Sequence, residues 1–441
     1  MSHLCHKANA TMASCEICGK QFTSPARLLR HKGNKKPCKA STPPKEPTPP
    51  KEQSEFREAS YRFNASLSKE ERKEQGIYFT PKKARDALFS KLEELGVNPS
   101  RILEPSFGSG EFLLDAQRLY PEATLLGVEK NEELFKSVEP SPTTLLECCD
   151  FLDWSGSADL IIGNPPYFVL AKGSKGHRPD VITGRPNIYI LFLYKCLKEH
   201  LEDDGFLAFI IPTSIYNCSY YQSVRDYINE NTTIHHVESL NKPGFFETGQ
   251  ETTLLVLQKR PSTDNNFIFK SKAGNVYITP FYKQLYELTE GTQTLAELGL
   301  GVKTGNVVWN QHKDKLSDEP GTLLIYSSNI NNSVLEIDNL LGDKRKQYVV
   351  GLKKPTLTGP LILVERGYGN SFSFNSVLVE LEEFYAENHI NVIYPIGSEA
   401  TCHLERVLKS FQDERSKQFV RMFVGNGSIS ATELETLMPI W

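Results

Sequence analysis

Between about Phe56 and Lys259, seven short apolar runs alternate with helix-like segments, and this alternation restricts the fold more than any other feature of the chain. The candidate strands are 101–104, 124–129, 144–149, 158–163, 206–212, 233–239 and 252–258. Segment 82–95 places Leu88, Leu92 and Leu95 on one helical face, with Thr80 as its expected N-cap, Pro81 at its first position and Gly96 as its stop. Strands that alternate with helices form a mainly parallel sheet covered on both faces, and such sheets bind ligands at the carboxyl ends of their strands. The last two runs are joined too closely for a helical crossover, so they are expected to run antiparallel. The fold class is therefore α/β, with a Rossmann-like seven-stranded sheet over 56–260. From 261 to 441 the pattern turns irregular, rich in Asn, Gly and aromatics, and reads as an α+β C-terminal domain.

The N-terminal residues differ from the body in both charge and chemistry. Residues 1–51 hold ten Lys/Arg and two Glu, net +8, so the remainder carries −12 of the chain's total of −4. A basic arm on an acidic body marks contact with a polyanion or a solvated tail. Four of the nine cysteines fall in the first 38 residues. Cys15 and Cys18 are two residues apart, His31 follows after twelve more and Cys38 after another six, with Phe22 and Leu28 placed for a small core. This spacing resembles a ββα zinc finger with Cys38 in place of the last His, a ligand set suited to tetrahedral zinc. Segment 39–55 has five prolines and no large apolar residue. It is a linker between the finger (1–38) and everything that follows.

Three strand ends carry polar chemistry. The run ILEPSFGSGEF (102–112) is a strand, a small-residue turn and a helix start, which lets backbone N–H groups approach a ligand. The next strand ends in Glu129, placed to accept from both hydroxyls of a ribose. The third ends at Asp150 and Phe151, an acceptor for an adenine amine and a ring to pack on it. Together Glu104, Ser106, Gly108, Gly110, Glu129, Asp150 and Phe151 describe an adenosine pocket.

A fourth strand delivers Asn164-Pro165-Pro166-Tyr167 at its carboxyl end. The two prolines fix the backbone there. The Asn164 amide oxygen and the Pro165 carbonyl can accept both hydrogens of an exocyclic NH2, which aims the nitrogen lone pair at an electrophilic methyl. Residues 76–260 thus resemble the gamma-class N6-adenine DNA methyltransferases of restriction–modification systems. Tyr78-Phe79-Thr80-Pro81 precedes the glycine-rich turn, the NPPY follows, and a target-recognition region comes last. The resemblance extends through 187–201, 205–214 and Pro243-Gly244-Phe245-Phe246-Glu247-Thr248. Glu104 stands where many relatives have Asp, which keeps a carboxylate.

The resemblance implies S-adenosylmethionine as methyl donor, with Thr80 and Asn164 joining the pocket residues around it. It also implies double-stranded DNA as partner, base flipping, and target recognition by 261–441, where 301–306 and 388–393 look familiar. Asn164, Pro165, Tyr167 and Phe246 become the catalytic residues, with Tyr167 and Phe246 stacking on the flipped base; Phe245 is the less favoured aromatic. The basic, glycine-rich segment 172–185 is placed to close on the DNA backbone or is an ordinary loop. Structural zinc belongs to Cys15, Cys18, His31 and Cys38. The finger serves DNA or a protein partner, and the chain is expected to act as a monomer. Protein-glutamine N5 methylation and cytosine-N4 methylation stay open, since NPPY serves similar amines. No apolar run approaches the ~20 residues of a membrane span. No secretion signal leads the chain, so the expected setting is intracellular, cytoplasm or nucleus. The finger and linker stand outside the bacterial pattern and suggest a eukaryotic or large-virus source.

Overall fold

The seven apolar runs pair into one sheet. In the computed structural model the strands are β1 (Arg101–Glu104), β2 (Thr124–Glu129), β3 (Thr144–Cys148), β4 (Ala158–Gly163), β5 (Leu201–Pro212), β6 (Thr233–Leu240) and β7 (Thr252–Gln258), in the order β3-β2-β1-β4-β5-β7-β6. The first five run parallel, whereas β7 is antiparallel to both β5 and β6. The described residues are 13–14, 21–22, 56–68, 78–170, 184, 187–240, 251–262, 265–337, 345–367, 374–423 and 428–441. The chain divides into two compact units, Met1–Ser54 and Glu55–Trp441. In the first, Ala13–Ser14 pairs antiparallel with Gln21–Phe22.

Strict alternation along the central strands separates two cores, because successive side chains leave opposite faces of a sheet. Ile102, Leu160, Ile162, Ala208 and Ile210 pack on one face with Leu88 and Leu92 of α2 (Lys82–Glu94) and Phe112 and Leu113 of α3 (Glu111–Leu119). Leu103, Ile161, Leu207, Phe209 and Ile211 face the other core. That core also holds the wholly apolar face of α5 (Ile188–Lys195) and Val224 and Ile228 of α6 (Gln222–Asn231). Leu88 and Leu92 are fully buried, a stabilisation of about 1.5–3 kcal/mol each. Two short helices complete this region, α1 (Glu58–Ser66) and α4 (Glu132–Lys136).

Three local expectations are corrected. Thr80 is not the N-cap of α2: Pro81 takes that position with an extended ψ of 148° and no capping side chain. The Thr80 hydroxyl is used elsewhere, as described below. Strand β5 starts at Leu201 rather than 206, and the helix before it closes in a π-helical turn, Cys196–His200.

Beyond β7 a hairpin (Ile268–Lys270 with Val276–Ile278) is shared between cores. Ile268, Val276 and Ile278 join the α5 side of the sheet, while Phe269 and Tyr277 join the core of the C-terminal region. The fully buried Arg225 guanidinium ties this seam, donating to the carbonyls of Val276 (2.6 Å) and Cys218 (2.7 Å). A four-stranded antiparallel sheet follows, ordered Leu300–Thr304, Ile390–Pro395, Leu361–Glu365, Ser376–Val379. The segments 301–306 and 388–393 singled out in the sequence are neighbours there, with Thr304 opposite Asn391. Gly305 crosses so close to the Glu387 carbonyl that a Cβ would lie 2.1 Å from it.

Candidate active site

The carboxyl ends of β1, β2 and β4, with the segments that follow β3 and β4, converge on a cavity of about 530 Å3. Pro105, Ser106 and Gly108 form one side, Glu129 to Asn131 and Asp150 a second, and Asn164, Pro166 and Phe168 a third; Tyr78 and Phe79 complete it. After β1 the chain must turn sharply into α3, and it does so with Gly108 at φ +56° and Gly110 at φ +80° as N-cap. A Cβ at Gly110 would lie 2.7 Å from Val138 Cγ2, so only glycine fits there.

Glu129 is fixed by the backbone. One carboxylate oxygen accepts from Gly108 N–H (2.9 Å) and the other from Asn131 N–H (2.7 Å). Burial raises its pKa, and these amides oppose the rise. Asp150 accepts from Leu152 N–H (3.0 Å) and from the exposed Lys130 ammonium (2.8 Å). The Phe151 ring beside it is 2% exposed and packs 4.8 Å from Phe192. Glu104, immediately before the lining Pro105, is 2% exposed, and its Oε2 has no hydrogen-bond partner. Burial, followed by the neighbouring charges of Glu111 and Glu129, holds this carboxyl well above the ordinary glutamate range. The Ser106 hydroxyl is likewise buried without a partner.

Asn164 follows β4. Its amide nitrogen donates to the Tyr78 carbonyl (3.1 Å) and to Thr80 Oγ1 (2.9 Å), which spends both N–H groups and fixes where Oδ1 points. Thr80 thus serves the site rather than the helix end. Tyr167 was expected to offer a ring face, but its ring is 5% exposed and is covered by Tyr78, stacked at 5.9 Å and 26°. It reaches the site through its hydroxyl, which lies between Asn164 Oδ1 and the Ile210 carbonyl (2.8 Å). Burial pushes that hydroxyl well above the usual tyrosine range, so it acts as a neutral donor.

The model of the Eco57I restriction-modification methylase family matches residues 114–246. The type II methyltransferase M.CvrRI of Paramecium bursaria Chlorella virus XZ-6E is 33% identical over 383 residues, 85% of this chain and 96% of that one. The modification methylase CviBIII of Paramecium bursaria Chlorella virus NC1A is 31% identical over 394 residues, 87% of this chain and 98% of that one. This chain belongs to the type II restriction–modification methyltransferases. A methyltransferase of this family modifies DNA and takes the methyl group from S-adenosylmethionine. A shorter match joins it to a tRNA1(Val) (adenine(37)-N6)-methyltransferase of Erwinia tasmaniensis, 30% identical over 128 residues, 26% of this chain and 51% of that one.

The residues at the cavity of this methyltransferase fit that donor in chemistry. A cationic, diol-bearing nucleoside calls for acceptors; Ser106 Oγ, in a lining residue, and Glu104 Oε2, buried in the residue just before the lining Pro105, are both without a partner. The close-packed Gly110 turn keeps the backbone near the cavity, and Phe151, Phe168 and Phe192 supply apolar walls. Of the expected donor residues, Ser106, Gly108, Glu129, Asp150, Phe151 and Asn164 line the cavity, whereas Thr80, Glu104 and Gly110 do not, and Pro165 is buried. Phe168, Lys130 and Tyr78 also line the cavity, although no site role was expected of them. Their positions beside NPPY, Glu129 and Thr80 were the available signal. Phe245, Phe246, the proposed ligands Cys15, Cys18, His31 and Cys38, and all of 172–185 except Gly184 lie outside the described residues. Among the described residues no group of three or more His, Cys, Asp or Glu side chains could hold a metal, and no helix is long and apolar enough to cross a membrane.

Proposed function

We propose that the enzyme methylates the N6 amine of an adenine flipped out of double-stranded DNA. The observation that carries this reading is the double anchoring of the Asn164 amide, which presents Oδ1 at the cavity as a fixed acceptor. When bound, S-adenosylmethionine supplies an electrophilic methyl on a positively charged sulfur. Asn164 Oδ1 and the Pro165 carbonyl accept the two hydrogens of the target amine, which turns its lone pair out of the ring and toward the methyl. The nitrogen then loses a proton to water, so positioning and two preorganised acceptors are the protein's contribution. Glu129 holds the ribose hydroxyls, Asp150 the adenine amine of the donor, and Glu104 its ammonium group.

An adenine must leave the stack to reach this acceptor, at a few kcal/mol. Stacking at about 1–3 kcal/mol per ring offsets that cost. Phe246 and Tyr167 provide it, the latter once the Tyr78 ring yields the face it covers. The adenine(37)-N6 activity of the Erwinia relative supports N6 chemistry for the shared segment. Residues 261–441 recognise the target sequence. Cys15, Cys18, His31 and Cys38 hold a structural zinc; the hairpin of Ala13–Ser14 and Gln21–Phe22 supports this, since its strands bracket Cys15 and Cys18 in sequence. One zinc per chain by elemental analysis, lost on replacing Cys15, is the expected measurement.

The deciding experiment is nucleoside analysis of DNA incubated with enzyme and donor. N6-methyladenine is expected and methylcytosine is not. Methylcytosine as the sole product would refute the proposal, and methylated protein glutamine with unmodified DNA would transfer it to the rival amide chemistry.

A further inference from the structure

Helix α1 belongs to none of the strand–helix alternation, yet its contacts converge on the glycine-rich turn. Ser60 is fully buried, and its hydroxyl lies 2.6 Å from Ser109 Oγ and donates to Glu111 Oε1. Ser109 Oγ in turn donates to Glu111 Oε2 (2.6 Å). Arg57, just before the helix, donates from its guanidinium to the carbonyls of Ser109 and, at 3.4 Å, Ser137. Its backbone N–H reaches Glu111 Oε1 at 3.5 Å, and its Nη1 would lie 3.4 Å from a Cβ on Gly110. Ser109 and Glu111, on either side of Gly110 where the turn enters α3, are therefore held from a segment about 50 residues earlier.

We propose that Arg57, Ser60 and Glu111 form a clasp that positions the glycine-rich turn for the methyl donor. A turn built on two glycines at positive φ has little intrinsic rigidity, and Gly110 brings no side chain to cap α3. The clasp supplies from outside what the turn lacks. It holds the Ser109 carbonyl and the Glu111 carboxylate, and with them the path of the backbone whose Gly108 N–H fixes Glu129. Ser60 and Arg57 do not line the cavity, so they act through the turn and not on the donor itself. The proposal rests on the reading of this turn as the donor's seat.

The test is calorimetric titration of S-adenosylmethionine into full-length protein carrying Ser60→Ala, Arg57→Lys or Glu129→Ala, with steady-state methyl transfer alongside. Ser60→Ala is expected to raise both Kd and KM for the donor on the order of tenfold, the worth of one charge-assisted hydrogen bond. The kcat at saturating donor and the KM for DNA should stay within about twofold of wild type, a split that general destabilisation does not produce. Arg57→Lys keeps the charge but loses the guanidinium's reach to two carbonyls, and should show the same split more weakly; it carries the test if Ser60→Ala does not fold. Unchanged donor affinity in both clasp variants, with Glu129→Ala weakened, would overturn the clasp. Unchanged affinity in Glu129→Ala as well would overturn the donor seat on which it rests.

Discussion

Glu104→Gln exchanges a carboxyl for an amide of the same shape at a buried position beside the cavity, next to the lining Pro105. The wild-type carboxyl is buried, has an oxygen without a partner and faces Glu111 and Glu129. Its folded-state pKa is therefore raised above the ordinary 4.5. An acid shifted in that direction binds more protons folded than unfolded. The protein should lose stability as pH rises from about 4.5 to the raised value and level off above it. Gln removes the ionisation. Gln keeps a buried polar group but not the charge, so above the raised pKa, where the wild-type carboxyl is ionised, the variant should gain about 1 kcal/mol, roughly 1–3 °C in Tm for a unit this large.

Donor binding should move the other way. An ammonium group placed on Glu104 favours the ionised carboxyl, so binding releases a proton. The wild-type affinity should rise by up to tenfold per pH unit below the raised pKa and flatten above it. Gln keeps the shape but not the charge, so affinity should fall about ten- to a hundredfold, the worth of a hydrogen bond between charged partners. The pH slope should disappear with it. Calorimetry in buffers of different ionisation enthalpy reads proton release directly, and thermal melts of donor-free protein read stability. A Gln variant that binds with wild-type affinity and the same pH slope would remove Glu104 from the donor's ammonium group.

Asn164→Ala should lower kcat by about 10²–10³, the usual cost of one preorganised transition-state hydrogen bond. Donor affinity by calorimetry should change only a few-fold by the same reasoning, and wild-type turnover would reassign the residue. Thr80→Ala leaves the acceptor in place but removes one of the two bonds that aim it, the contact of 2.9 Å. A loss of about tenfold in kcat/KM is expected, and an unchanged value would show that the Tyr78 carbonyl suffices. Deleting residues 1–55 should leave the methylated sequence unchanged and reduce DNA affinity, most at low salt, because a +8 arm no longer displaces counterions. Equal salt slopes with and without the arm would assign the finger to a protein partner.

The strands were legible where burial on both faces made them continuous apolar runs: β1, β2, β4 and β7 begin and end as the pattern indicates. Strand β5 was cut short because its first part, Leu201 to Gly205, is mostly acidic, and pairing rather than side-chain pattern extends the strand. The acids proposed for the site stood out in the sequence because Glu104 and Glu129 end β1 and β2 and Asp150 follows β3 by two residues, the region where a parallel sheet presents side chains to a ligand. Thr80 was misread for an instructive reason. A threonine before a proline and a helix has a local role available, and a local rule assigns it. The actual partner, Asn164, lies 84 residues away, and no local pattern records that distance. Ser60 and Arg57 left no signal either, since their partners lie some 50 residues along the chain.

That distant bond has a mechanistic consequence. Tyr78 and Phe79 line the cavity proposed for the donor, and the Tyr78 carbonyl and the Thr80 hydroxyl anchor the amide of Asn164, the proposed acceptor for the target amine. The Tyr78 ring meanwhile covers Tyr167, whose hydroxyl rests on that same acceptor. One short segment therefore touches the donor's seat, the acceptor and the aromatic face proposed for the base. A base that stacks on Tyr167 must shift the Tyr78 ring, and the backbone of that residue holds Asn164. On the proposed stacking, target entry and acceptor alignment are therefore linked through Tyr78, whose ring covers Tyr167 and whose carbonyl holds the Asn164 amide.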